Sequence, residues 1–175
     1  HRAMPEAEER AAMAEAIRLH TAVTGARPRG WYTGRCSMNT VRLAAEAGFD
    51  WISDAYDDDL PYWTRAGDRD QLVIPYTLEA NDMRFAVSPG WVTGRDFGDY
   101  LIDAFDALHA EGGRMMSVGL HCRLAGRPGK AAGLRAFLDH VARRGGAWLA
   151  TRGRIAAHWA ARHPPPRLER PSEMT

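Results

Sequence analysis

The chain has 175 residues, enough for one domain with a real core, and its 23 Lys plus Arg against 22 Asp plus Glu leave a formal charge of +1. That balance argues against non-specific binding to nucleic acid or to an anionic membrane surface, and no apolar run approaches the ~20 residues of a membrane span. Apolar residues at 45% and charged residues at 26% are ordinary for a globular protein, and Cys36 and Cys122 stand far apart without CxxC spacing, which disfavours a disulfide framework or a cysteine zinc site and points to a reducing cytoplasm.

The apolar face Met13, Ala16, Ile17, His20 and Val23 predicts a helix over 5–24, with Glu6, Glu8 and Glu9 at its positive end and Gly25 as its stop. Nothing at the front reads as a signal peptide, and the chain opens at His1 almost directly into this helix, as expected of a sequence that starts part-way through a protein. A short strand over 30–32 leads into the turn Thr33-Gly34-Arg35-Cys36. A helix follows, capped by Ser37 or Asn39 and ended by Gly48.

A strand over 49–53 precedes an acidic, aromatic loop from Asp54 to Trp63, and the polar run 64–70 reads as a surface excursion. The next strand, 71–76, runs into Glu79-Ala80-Asn81-Asp82-Met83-Arg84-Phe85. Phe97, Tyr100, Leu101, Ala104, Phe105 and Leu108 mark a helix over 94–111. Residues 115–120 read as a buried strand that delivers His121, and Gly126–Lys130 reads as a turn because it lacks phosphate-loop spacing. A helix over 130–144, a last strand over 147–150 and a final helix around Ile155, Ala156 and Trp159 complete the pattern, with Trp148 and Trp159 expected in the core. His20, His109, His140, His158 and His163 fall on helices as surface or core residues. The tail 164–175, rich in proline and polar residues, is expected to be disordered.

Strands alternating with helices imply an α/β fold with parallel strands. About five strands are too few for a closed eight-stranded barrel, so an open sheet and an incomplete barrel both fit. In such sheets chemistry collects at the carboxyl ends of the strands. Those ends deliver Arg35, then Asp54, Asp57, Asp58 and Asp59, then Glu79, Asn81, Asp82 and Arg84, then His121 and Arg123. Each has a bland reading beside the chemical one. His121 fits a structural role or proton transfer, the acidic run fits a solvated loop or a packed site, and Arg35 fits a carboxylate clamp or a brace for the acidic loop.

The segments GWYTGRCSMNT (30–40), SDAYDDDLPYW (53–63), LVIPYTLEANDMRF (72–85) and MMSVGLHCRLAGRPGK (115–130), in this order, resemble the allantoinases of the polysaccharide deacetylase superfamily over residues 5–160. The resemblance implies that residues 1–163 are the carboxyl-terminal portion of a distorted (β/α) barrel. It implies hydrolysis of the hydantoin ring amide of allantoin to allantoate in purine catabolism. In that reading His121 is the general acid, Asp54 orients the imidazole and Arg35 matches the arginine motif loosely. Arg123 steadies the ring or the oxyanion, Asn81, Asp82 and Arg84 read the ureido group, and Asp57 and Asp58 are further substrate-binding candidates. The superfamily's deacetylases use a divalent metal held by motifs in an amino-terminal half that has no counterpart here, so no cofactor and no metal site are expected in this chain, and the general base is expected from that half. Allantoin is the expected partner, with no nucleic acid and no membrane, in a homo-oligomer when full length. Two alternatives stand beside it: N-deacetylation of a polysaccharide or peptidoglycan, and an inactive fragment or binding half that needs a partner chain.

Overall fold

The structure, a computed structural model, describes residues 2–166. Most of the tail expected from Pro164 onward lies outside the described residues. The elements are α1 (Glu6–Thr24), β1 (Gly30–Trp31), α2 (Thr40–Glu46), β2 (Trp51–Ile52), β3 (Tyr62–Ala66), β4 (Arg69–Val73), a 3₁₀ turn (Asp82–Phe85), α3 (Gly94–Glu111), α4 (Pro128–Arg144) and α5 (Arg152–Arg162). This is the expected α/β class, with a mostly parallel sheet. No helix among the described residues is long and apolar enough to cross a membrane.

The chain divides into two compact units. The first joins the chain up to Asp54 with Pro61–Ile74 and the segment from Ala150, and it holds the sheet in the order β1-β2-β4-β3. β1, β2 and β4 are parallel, with Gly30 opposite Trp51 and Trp51 opposite Leu72. Gly30 is required there, because a Cβ would fall 2.1 Å from the Trp51 ring. Met13, Leu43, Phe49, Ile52, Leu72 and Ile74 form the buried apolar set of this unit. The buried Glu9 carboxylate ties α1 to the start of α2 by accepting from the Ser37 and Thr40 hydroxyls.

The second unit comprises Ala55–Leu60 and Pro75–Leu149. Its core is Ala80 with Phe97, Leu101 and Phe105 of α3 and Phe137 and Val141 of α4, the helical residues at helical spacing. α3 opens with a capping box: the Thr93 hydroxyl accepts from Asp96 N at 3.1 Å, and Asp96 Oδ2 accepts from Thr93 N at 2.8 Å. The two helices touch along glycines. A Cβ on Gly133 would lie 1.6 Å from Gly94 O, and one on Gly98 would lie 2.7 Å from Gly133 O.

Several expectations are corrected. Residues 64–70 are not a surface excursion but most of a hairpin, in which β3 pairs antiparallel with β4 around Gly67 at φ +64°. Arg65 and Asp70 face each other across it at 3.3 Å, so the charges are cross-strand partners rather than loop residues. The 115–120 segment forms no ladder. It is extended and makes one parallel bridge, Asn81 to Gly119. No strand forms at 147–150, where Trp148 is 51% exposed rather than core. Trp159 packs on the His163 ring at 4.2 Å and is half-buried. Val23, placed by periodicity on the inner face of α1, is exposed. α4 starts at Pro128, earlier than expected, because proline suits a first-turn position that needs no N–H.

Gly133→Ala is expected to lower stability by about 1–3 kcal/mol through overpacking. A urea-unfolding midpoint equal to that of the native chain would show that the helices do not meet as closely as described.

Candidate active site

The Asn81–Gly119 bridge sets the geometry of the site. Gly119 N donates to Ala80 O at 2.9 Å and Asp82 N donates to Gly119 O at 3.0 Å, so the backbone on either side of Asn81 is locked to the 115–120 segment. Gly119 permits this approach, since a Cβ would lie 2.3 Å from Asn81 Nδ2 and 2.7 Å from the Tyr76 hydroxyl. Two residues beyond Gly119, His121 arrives beside Asp82. A turn closed by Leu124 N on His121 O, at 2.9 Å, brings Ala125 N back to the same carboxylate.

Asp82 is fully buried, and both its oxygens are engaged. Oδ1 meets His121 Nδ1 at 2.6 Å, and Oδ2 accepts from His121 N at 2.7 Å and from Ala125 N at 3.0 Å. A carboxylate only accepts, so the arrangement requires the imidazole proton on Nδ1 and leaves Nε2 as the outward nitrogen. His121 keeps 32% of its side chain exposed while Asp82 keeps none, so the carboxylate works through the imidazole. An imidazole held in this way by a buried carboxylate can give or take a proton at its outward nitrogen.

Of the residues expected to act with His121, the structure gives each a specific place. The carboxylate on His121 Nδ1 is that of Asp82, not of Asp54. Asp54 instead accepts from Thr33 N at 2.9 Å, Thr33 Oγ1 at 3.0 Å and Gly34 N at 2.7 Å, and so builds the turn that presents Arg35 in the first unit. The Arg35 side chain is exposed on that turn. Asp82 was expected to read substrate, and full burial rules that out. Asn81 was expected to do so too, but its Oδ1 caps the 3₁₀ turn by accepting from Met83 N at 2.9 Å and its Nδ2 donates to Thr77 O. The Arg84 guanidinium sits over the Trp91 ring, 4.4 Å from its centroid, and Arg123 is exposed with Nη2 3.6 Å from Met83 Sδ. Asp57 and Asp58 are exposed; Asp58 Oδ1 accepts from Leu60 N, and Asp58 and Asp59 join Glu79 in lining a small open pocket that His121 does not line. Among the described residues no three His, Cys, Asp or Glu side chains converge to hold a metal ion, so the residues present do not fit the metal site of the superfamily's deacetylases.

Sequence reasoning missed two contributors. Ala125 acts through its backbone N–H, which leaves no residue-type signal. Trp91 donates its indole N–H to Asn81 O at 3.0 Å.

Asp82→Asn must point an N–H either at ring Nδ1 or at the two backbone donors. The first choice moves the imidazole proton to Nε2, the wrong-tautomer effect that a serine-protease triad shows on the same substitution. ¹⁵N NMR is expected to find that switch together with a stability loss of about 1–3 kcal/mol, and an unchanged Nδ1–H tautomer with unchanged stability would reject the dyad. Nearby, burial pushes the Tyr100 phenol above its ordinary range, Glu79 pushes the same way and Arg84 partly opposes them. The folded state therefore holds that proton more tightly, and the stability this contributes, present below the ordinary tyrosine range, is lost as pH rises through the raised value. Removing the guanidinium in Arg84→Ala is expected to move the phenol further up, read by tyrosinate absorbance against Tyr100→Phe, and a downward move would contradict that balance.

No family model matches the chain. A Schizosaccharomyces pombe protein assigned by name to the polysaccharide deacetylases is 46% identical over 156 residues, 78% of this chain and 49% of its own length. The crystal structure of Puue allantoinase superposes with a TM-score of 0.89 at 51% identity, over 93% of this chain and 56% of that one. A probable polysaccharide deacetylase from Pseudomonas aeruginosa PAO1 gives a TM-score of 0.89 at 50% identity, over 94% of this chain and 57% of its own. The chain thus spans about half the length of the relatives it matches. With this fold and this identity along nearly all of its own length, the chain is similar to about half of proteins named as polysaccharide deacetylases and of Puue allantoinase.

Proposed function

We propose that this chain carries the proton-donating part of a hydrolytic site that opens the hydantoin ring of allantoin to allantoate, a step of purine breakdown. The observation that carries the reading is the His121–Asp82 dyad with Nε2 facing outward, in a chain 51% identical to Puue allantoinase. Ring opening requires water to attack the amide carbonyl, a tetrahedral oxyanion to be held and a proton to reach the leaving nitrogen as the C–N bond breaks. Protonated His121 gives that proton from Nε2 while Asp82 keeps Nδ1–H and the ring plane fixed. Arg84 and Arg123 flank the dyad through Met83 and Trp91 and suit the carbonyl oxygens of a ureido ring. In this reading the base that activates water belongs to the further length of the relatives, and no step is routed through a metal.

A second reading, N-deacetylation of an acetylated sugar, is favoured by the names of the Schizosaccharomyces pombe and Pseudomonas aeruginosa relatives. It uses the same proton transfer, to an amine nitrogen leaving from an acyl group. Assays of allantoin and of N-acetylglucosamine oligomers, each with and without chelator, separate the two. In a protein of the relatives' full length, turnover of allantoin is expected, and His121→Ala is expected to lower it by about 100-fold or more with folding intact by circular dichroism. Near-native turnover in that variant rejects the acid role. Chelator-sensitive release of acetate supports the deacetylase reading instead, and turnover of neither substrate supports a half-site that needs a partner chain.

A further inference from the structure

We infer that Trp91 is a positioning residue for the His121–Asp82 dyad, the anchor that ties the Asn81–Asp82 backbone to α3. The inference rests on the acid–base reading of His121. Three contacts join Trp91 to the 3₁₀ turn and to Asn81, the residue that leads into it. Its indole Nε1–H donates to Asn81 O at 3.0 Å, its backbone N donates to Arg84 O at 3.0 Å, and its ring lies under the Arg84 guanidinium at 4.4 Å. On its other side the ring packs against two residues of α3, Tyr100 at 4.9 Å and Phe97 at 5.8 Å between centroids. Phe97 is fully buried, so this attachment point is set by the core itself.

The 84–91 loop is closed tightly enough to transmit the constraint. Gly90 sits where a Cβ would lie 1.7 Å from Arg84 O and 2.3 Å from Val87 O, so the loop backbone is in close contact with the end of the 3₁₀ turn. Asn81 O lies on the peptide that leads directly into Asp82, and Asp82 N is already held by Gly119 O. The Asn81–Asp82 peptide is therefore held from both sides, by the 115–120 segment through its N–H and by the core through its C=O. With the indole donor removed, Asn81 O keeps only the bond from Arg84 N at 3.2 Å, which lies within the same short turn and does not tie it to the core. The Asp82 carboxylate then loses its fixed height against Nδ1, and a displacement of the order of 1 Å at an acid–base group costs about 10–100-fold in rate.

The test uses this chain in three forms. In the native protein, the Trp91 indole N–H is expected to be protected from exchange, and its NMR resonance to shift with pH in step with His121. Trp91→Phe keeps an aromatic ring against Phe97 and Tyr100 but deletes the donor. It is expected to show mixed His121 tautomers by ¹⁵N NMR and an altered acid limb of the pH profile, with kcat lower by about tenfold or more and KM within about twofold. Phe97→Leu loosens the same aromatic packing but keeps the indole bond. It is expected to lower the melting temperature yet leave His121 in the single Nδ1–H form. The inference is overturned if Trp91→Phe retains that single tautomer, if Phe97→Leu scrambles it equally, or if the native indole resonance ignores the His121 titration. The tautomer readout does not depend on turnover, so failure of the native chain to act on allantoin would remove the proposed substrate without deciding the role of Trp91.

Discussion

Both oxygens of Asp82 are cut off from solvent, and a buried carboxylate is costly unless its acceptor positions are filled. Three N–H groups fill them: the backbone and ring of His121, and the backbone of Ala125. That requirement organises the second unit. The 3₁₀ turn places the carboxylate, the extended segment before His121 delivers the ring, and the tight turn after it brings Ala125 N back. The residue that meets solvent is the imidazole, held in one tautomer by a partner that solvent does not reach. The same low dielectric that makes an unpaired carboxylate expensive makes this paired one a rigid orienting group.

Close backbone approach is the second constraint, and it falls on glycines. Gly119 lets the 115–120 segment lie against Asn81 and Tyr76, which is why a single bridge holds the dyad without a full strand ladder. Gly94, Gly98 and Gly133 let α3 and α4 meet backbone to backbone, so that Phe97, Leu101 and Phe105 interlock with Phe137 and Val141. The core made in this way also supplies the aromatic surface on which Trp91, and through it Arg84, rests.

The first unit applies a similar device to a different end. Asp54 accepts from three donor groups of Thr33 and Gly34, yet here the carboxylate shapes a turn and the turn presents an arginine. Two carboxylates at strand ends thus have different tasks, one set on a side chain and one on a backbone turn. Ring opening of a cyclic amide and deacetylation of an amide-linked sugar both end with a proton delivered to nitrogen, so the dyad suits either. Choice between them rests on the groups that contact the acyl and ring atoms.

The long helices were legible because their apolar positions repeat at helical spacing: residues 94–111 form α3 as read, and 5–24 matches α1 to within one residue. His121 was legible as a residue delivered by an apolar run to a loop, and the similarity to the polysaccharide deacetylases was legible in four segments in order. The β3–β4 hairpin was not, because its charges disguise a strand pair, although Gly67-Asp68 between the two strands carried the turn signal. Nor was the division of labour among the carboxylates. Asp54, Asp57, Asp58, Asp59 and Asp82 carry the same functional group at neighbouring strand ends, and residue type alone does not rank them. Composition and periodicity by themselves determined an α/β chain with its chemistry at the loops after strands. Only the tertiary structure decided that Asp82 is the buried partner of His121, that Asn81 is a cap, and that Trp91 holds the peptide between them. Burial and donor geometry arise from segments far apart in the chain, and no local pattern encodes them.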